Sequence, residues 1–142
     1  MGATQRLTVP GKFEHLAQIA EFVTTASRAA GLNDDDVFHV EMAVDEACSN
    51  IIEHAYAELT GDIDLTCYVP EMGRLDIVIR DHGQSFNPDE VPVPRLQEGA
   101  GLDAVQEGGL GLYFMRKLMD EVRFEFSPEN GNTLYMVKRK QA

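Results

Sequence analysis

A carboxylate and an amide four residues apart, Glu46 and Asn50, fall on one side of any helix that contains the run Asp45-Glu46-Ala47-Cys48-Ser49-Asn50. A carboxylate so placed can take the proton of an attacking hydroxyl, and an amide oxygen is a hard ligand suited to Mg²⁺. A second segment, Asp81-His82-Gly83, follows an apolar alternating run. Its carboxylate can accept a hydrogen bond from an adenine amino group, and Gly83 permits close backbone approach. A third, Gly108-Gly109-Leu110-Gly111-Leu112, opens a helical pattern. Glycines there leave backbone N–H groups free to meet phosphate oxygens at the positive end of the helix. Taken singly, each has an ordinary alternative: a solvated helix face, a strand-end turn, and a loop-to-helix glycine cluster.

The elements that must hold these groups are legible from periodicity. Residues 5–9 alternate as a short edge strand closed by Pro10-Gly11. From Phe13 to about Ala30, Leu16, Ile19, Ala20, Val23 and Ala26 recur at helical spacing, and Gly31 ends that helix. Asn33 and Asp34–Asp36 cap a longer helix, with the acidic side chains favoured at the positive end of its dipole. Its dry stripe is Val37, Val40, Val44, Ala47, Ile51 and Ala55, and His39, Glu46, Asn50 and Glu53 lie opposite. Ile63, Leu65, Cys67 and Val69 form one half-buried strand, and Leu75, Ile77 and Ile79 another.

Residues 82–107 hold Pro88, Pro92 and Pro94 with several glycines, a long loop of the kind that serves as a lid or binding segment. A helix follows from about Leu110 to Asp120. Val122, Phe124 and Phe126 then alternate, as do Leu134, Met136 and Lys138, with Asn130-Gly131 as the hairpin signal between them. The pattern predicts an α+β fold, a two-layer sandwich whose mixed, mostly antiparallel sheet is covered on one face by helices.

Length and charge narrow the chemistry. The 142 residues, 44% hydrophobic and 25% charged, fit a single domain, 1–142, with a real core. Cys48 and Cys67 form no Cys-x-x-Cys and read as buried thiols of a reducing compartment. No stretch approaches the ~20 apolar residues of a membrane span. The N-terminal residues carry no apolar signal core, so the expectation is a cytoplasmic protein that does not engage membranes. With 24 acidic against 12 basic residues the net charge is −12, which repels a nucleic-acid backbone and suits a basic protein partner. The glycine segment is neither a P-loop, since no Gly-Lys-Ser/Thr follows, nor a Rossmann turn, since a loop precedes it. The four histidines, His15, His39, His54 and His82, show no metal-ligand spacing.

In order along the chain, the Glu–x₃–Asn helix, the strand-end Asp-x-Gly, the long loop and the glycine-rich helix start resemble the Bergerat ATP-binding fold of gyrase, Hsp90, MutL and histidine kinases. More narrowly, DEACSNIIEHAY and EGGLGLYFMRKLMDEVRFE resemble the bacterial anti-sigma-factor serine/threonine kinases, from about Thr8 to Lys140. The resemblance implies Glu46 as general base and Asn50 as Mg²⁺ ligand. It implies Asp81 with Gly83 at the adenine of ATP, Gly108, Gly109 and Gly111 with the N–H groups of Leu110 and Leu112 at the phosphates, and 84–107 as the ATP lid. It further implies phosphorylation of a serine or threonine on an anti-anti-sigma antagonist, sequestration of a sigma factor, and a homodimer. Two positions depart from the family pattern: Ser85 where many relatives have glycine, and Glu107-Gly108 where many have glycine and arginine. The lost cation leaves Arg95, Arg116 or Lys117 as substitutes, and keeps open a nucleotide-gated binding module that captures a regulator without phosphotransfer.

Overall fold

The computed structural model describes residues 3–55, 61–83, 109–127, 129 and 131–141. Strand β1 (Ala3–Pro10) leads through a 3-10 turn, Phe13–His15, into helix α1 (Leu16–Ala29). Helix α2 (Asp34–Asn50) follows and passes directly into a π-helical turn, Ile51–Ala55. Strands β2 (Asp62–Val69) and β3 (Arg74–Asp81), helix α3 (Gly109–Leu118), and strands β4 (Glu121–Ser127) and β5 (Gly131–Arg139) complete the order. The expected lid, 84–107, lies outside the described residues, as do Gly108 and Asn130.

The five strands form one sheet in the order β1-β2-β3-β5-β4. The two-layer α+β arrangement is the expected one, with a single correction: among the described residues every strand pair is antiparallel rather than mixed. The reason is the last hairpin. β4 takes the outer edge and β5 turns back between it and β3, so the link from β3 never brings a strand in parallel.

Strand alternation then sorts the side chains. Ile63, Leu65 and Cys67 of β2, Leu75, Ile77 and Ile79 of β3, and Leu134 and Met136 of β5 share one face and join the core with Ile19, Val23, Val40, Val44 and Met115 of the helices. Each buried Val, Leu or Ile contributes roughly 1.5–3 kcal/mol, so this single apolar layer dominates the stability of the assembly. The opposite face carries charge, including Arg74 against Asp76 at 2.7 Å and the hydroxyl of Thr8 on the Asp64 carboxylate.

Local signals explain the helix ends. Gly31 follows α1 at φ +81, the left-handed conformation that only glycine adopts freely. The Asn33 side chain accepts from the Asp36 N–H at 2.8 Å and starts α2 as the sequence predicts. One acidic residue of that first turn, Asp36, is fully buried.

Candidate functional site at the end of β3

Asp81 closes β3 on the helix-facing side of the sheet and is 4% exposed. A carboxylate so buried needs partners, and two uncharged donors reach its Oδ1. The Gly83 N–H donates at 2.9 Å, closing an Asx-type turn, and the Asn132 side-chain amide donates at 2.8 Å from across the sheet. The same Asn132 amide reaches the Gly83 carbonyl at 3.2 Å. Asn132 therefore staples both ends of the Asp81-His82-Gly83 turn from its register position on β5, where it faces Asp81 directly. Burial pushes the Asp81 carboxyl above its ordinary value, and the Asn132 and Gly83 hydrogen bonds and the His82 charge hold it partly down.

Gly131, φ +76, makes this approach possible. A Cβ there would collide with the Asp81 carbonyl oxygen and fall 2.7 Å from His82 Nδ1. Sequence reasoning placed Gly131 in a hairpin turn but missed that it also clears the space behind Asp81. It missed Asn132 altogether. The only available signal was an amide directly preceding Thr133 and the apolar stripe of β5, and its meaning depends on a strand register that spans 51 residues.

Helix α2 carries Glu46 and Asn50. Both are half-buried, on the flank of α2 that also carries His39, between the dry stripe and the solvent face. Cys48, between them in sequence, is fully buried, and its thiol is pushed up to about 12, first by burial and then by the negative charges of Asp45 and Asp81. Regular α-helix stops at Asn50, and the π turn Ile51–Ala55 begins at the next residue. The Ile51 N–H is shared between the Ala47 and Cys48 carbonyls. Single π turns inside helices recur at functional sites because they redirect side chains, and this one sits beside the amide read as a metal ligand.

Helix α3 opens at Gly109, so Gly109, Leu110, Gly111 and Leu112 form its first turn, as the glycine segment predicts. The first N–H groups of a helix have no intrahelical partner and suit an anion. Arg116 and Lys117 lie instead in the last turn of α3, exposed, with the Lys117 ammonium 5.4 Å from the Tyr113 ring centroid. They stand at the negative end of the helix, about 10 Å from its start, and are poorly placed to replace a phosphate-binding arginine. Among the described residues no group of three His, Cys, Asp or Glu side chains is arranged to hold a metal, and no helix is long and apolar enough to cross a membrane. Cys48 and Cys67 are free and buried.

The chain is similar to known proteins along most of its length. Residues 9–138 match the family model described as the histidine kinase-like ATPase domain. A serine-protein kinase RsbW of Bacillus licheniformis is 36% identical over 137 residues, covering 91% of this chain and 81% of that protein. The RsbW of Bacillus subtilis is 34% identical over 140 residues, covering 93% and 82%. In shape, the chain is similar to a Mycobacterium tuberculosis protein with RsbU and RsbW domains, at a TM-score of 0.68 and 17% identity, over 96% of this chain and 32% of that one. It is also similar to the histidine kinase domain of a blue-light activated kinase from Erythrobacter litoralis, at a TM-score of 0.55 and 16% identity, over 89% and 59%. With an ATPase-domain match from β1 to β5 and near-full-length identity above 30%, the chain belongs to the RsbW serine-protein kinases of the histidine kinase-like ATPase family.

Proposed function

We propose that this chain is an anti-sigma-factor-type serine/threonine protein kinase that moves the γ-phosphate of Mg²⁺–ATP to a hydroxyl of an anti-anti-sigma antagonist. Release or capture of a sigma factor would be the outcome of that switch. The observation that carries the nucleotide half of the reading is the Asp81 carboxylate, buried, stapled through one oxygen by Asn132 and Gly83, and set at the end of a strand.

In this reading Asp81 accepts from the adenine amino group, and Gly83 lets the base lie close to the backbone. The N–H groups of Gly109, Leu110, Gly111 and Leu112, with Gly108 before them, hold the phosphate chain at the start of α3. Asn50 offers its amide oxygen to Mg²⁺, a hard ligand beside the π turn. The bound metal supplies charge neutralisation on the phosphates. Glu46, one turn earlier on the same flank, accepts the proton as the attacking oxygen bonds to the γ-phosphorus and the bridging bond to ADP breaks. The protein's share of such a transfer is positioning and electrostatics, which rigid helix starts provide.

The whole chain would work as one ATP-binding domain, residues 1–142, with 84–107 as its lid. A cytoplasmic homodimer fits the family and the acidic charge, and the −12 net charge favours a basic surface on the regulator it captures. Incubating the protein with γ-labelled ATP, Mg²⁺ and its cognate antagonist is expected to label a serine or threonine. Glu46→Gln should abolish most of that label while leaving ATP bound. Tight ATP binding with no transfer by the unaltered protein would overturn the kinase assignment.

A further inference from the structure

The far end of the molecule holds a buried charge cluster that the nucleotide site does not use. Lys138 of β5 points into the helix-facing layer and its side chain is 5% exposed, with the Asp36 carboxylate, 0% exposed, 4.0 Å from its ammonium. Lys138 Nζ donates to the Leu118 carbonyl at 2.5 Å and lies 3.3 Å from His39 Nδ1. Asp36 Oδ2 accepts from the Gln141 N–H at 3.2 Å, whereas Asp36 Oδ1 has no hydrogen-bond partner among the described residues.

Such a cluster is a poor device for stability. Two charges removed from water lose more than an apolar pair of the same size would, unless every lone pair and proton is satisfied, and here one carboxylate oxygen is not. Its geometry is better explained by what it joins. Asp36 sits in the first turn of α2, the helix of Glu46 and Asn50. Leu118 is the last residue of α3, the helix whose first turn is the glycine box. Each charge complements the dipole of the helix it touches, a carboxylate at a helix start and an ammonium at a helix end.

We propose that Lys138 and Asp36 form a positioning clamp that sets α2 against α3, and so fixes the distance between the Glu46/Asn50 flank and the phosphate-binding start of α3. Lys138 is a positioning residue, since Asn50 lies about 21 Å along α2 from Asp36 and no charge of the cluster can touch a nucleotide. The strand that carries Lys138 also carries Asn132, six residues back, so β5 serves as the spine from which both the base site and the helix pair are hung. The clamp acts on the phosphates and leaves the base site alone, because Asp81 is held by β5 and its own turn rather than by the helices.

This rests on the nucleotide reading above, and titrations of the full chain with Mg–ATP and Mg–ADP separate the two. Wild-type protein that binds neither nucleotide overturns the reading itself, and the clamp with it. Given wild-type binding, the double variant Asp36→Leu/Lys138→Met replaces the pair with apolar groups and leaves no orphaned charge. The clamp predicts a folded protein whose thermal midpoint is no lower than wild type, ADP affinity within about threefold, and ATP affinity reduced about tenfold. Unchanged preference for ATP over ADP overturns the proposal. So does an equal loss of both affinities, which would mean general loosening, or a double variant that fails to fold, which would make the pair a stabilising one.

Discussion

Two buried aspartates mark opposite ends of the molecule, and they are held in different ways. Asp81 receives two neutral donors on a single oxygen, from Gly83 and Asn132, in a turn at the edge of the helix layer. Asp36 faces the buried cation of Lys138, with Gln141 on its second oxygen and, among the described residues, no hydrogen bond to its first. Neutral donors fix a carboxylate without cancelling its charge, so Asp81 remains able to bind something else. A buried counter-ion cancels the charge and closes the site. On the proposed function, the contrast separates a carboxylate kept for a ligand from one kept for architecture.

The comparison breaks hardest at the architectural end. Lys138→Met alone leaves the buried Asp36 carboxyl without its cation, and is expected to destabilise the fold by about 3–5 kcal/mol in denaturant titrations. The same experiment on Asp36→Leu/Lys138→Met should recover all of that loss. A single variant as stable as wild type would show that solvent reaches Asp36 and that the two aspartates are not different in kind.

Gly131→Ala tests the other end through the backbone. The substitution forces a side chain into a left-handed conformation and against the Asp81 carbonyl and His82 ring. Strain of this kind costs on the order of 1–3 kcal/mol, and the hairpin can relieve it only by moving away from the Asp81 turn. Lower stability together with weakened ATP binding is the expected pair of results. Full nucleotide affinity would mean that the close approach of β5 does not hold the turn.

The mildest probe is Asn132→Ala, which removes one donor from Asp81 and leaves the Gly83 N–H in place. A lost hydrogen bond to a charged group amounts to about 1.5–3 kcal/mol, so ATP affinity should fall roughly tenfold to a hundredfold. Because the Asn132 bond works against the upward push of burial, its removal moves the Asp81 carboxyl further up. The loss of ATP binding on acidification should therefore begin at higher pH than in wild type, and a pH series of titrations reads this directly. The sign for stability is opposite to that of a salt-bridged carboxylate. With a folded-state value raised above the unfolded one, Asp81 favours folding at low pH, and that contribution is lost as pH rises through the raised value.

Most of the frame was legible because it is local. Asn33 capping, the Gly31 stop, the alternation of β2 and β3 and the start of α3 at the glycine box each follow from neighbouring residues. Asp81 and Gly83 could be singled out for the same reason. The partners that give Asp81 its character could not, since Asn132 and Gly131 acquire meaning only from the β3–β5 register. The π turn after Asn50 was likewise invisible, as the apolar spacing through Ile51 reads as continuous α-helix. Lys138 did leave a trace: it occupies the inward position after Leu134 and Met136, where an apolar residue belongs. A lysine on a dry stripe requires a buried anion, and Asp36 is that anion.

The central claim is that Asp81 presents an ionised oxygen to the adenine amino group, and calorimetric titration of Asp81→Asn with Mg–ATP tests it most directly. Asparagine keeps an oxygen for the Gly83 and Asn132 donors but turns an amide toward the base, so the account predicts an affinity loss of about a hundredfold with thermal stability at neutral pH equal to or above wild type. An Asp81→Asn protein that binds ATP as tightly as wild type would contradict it.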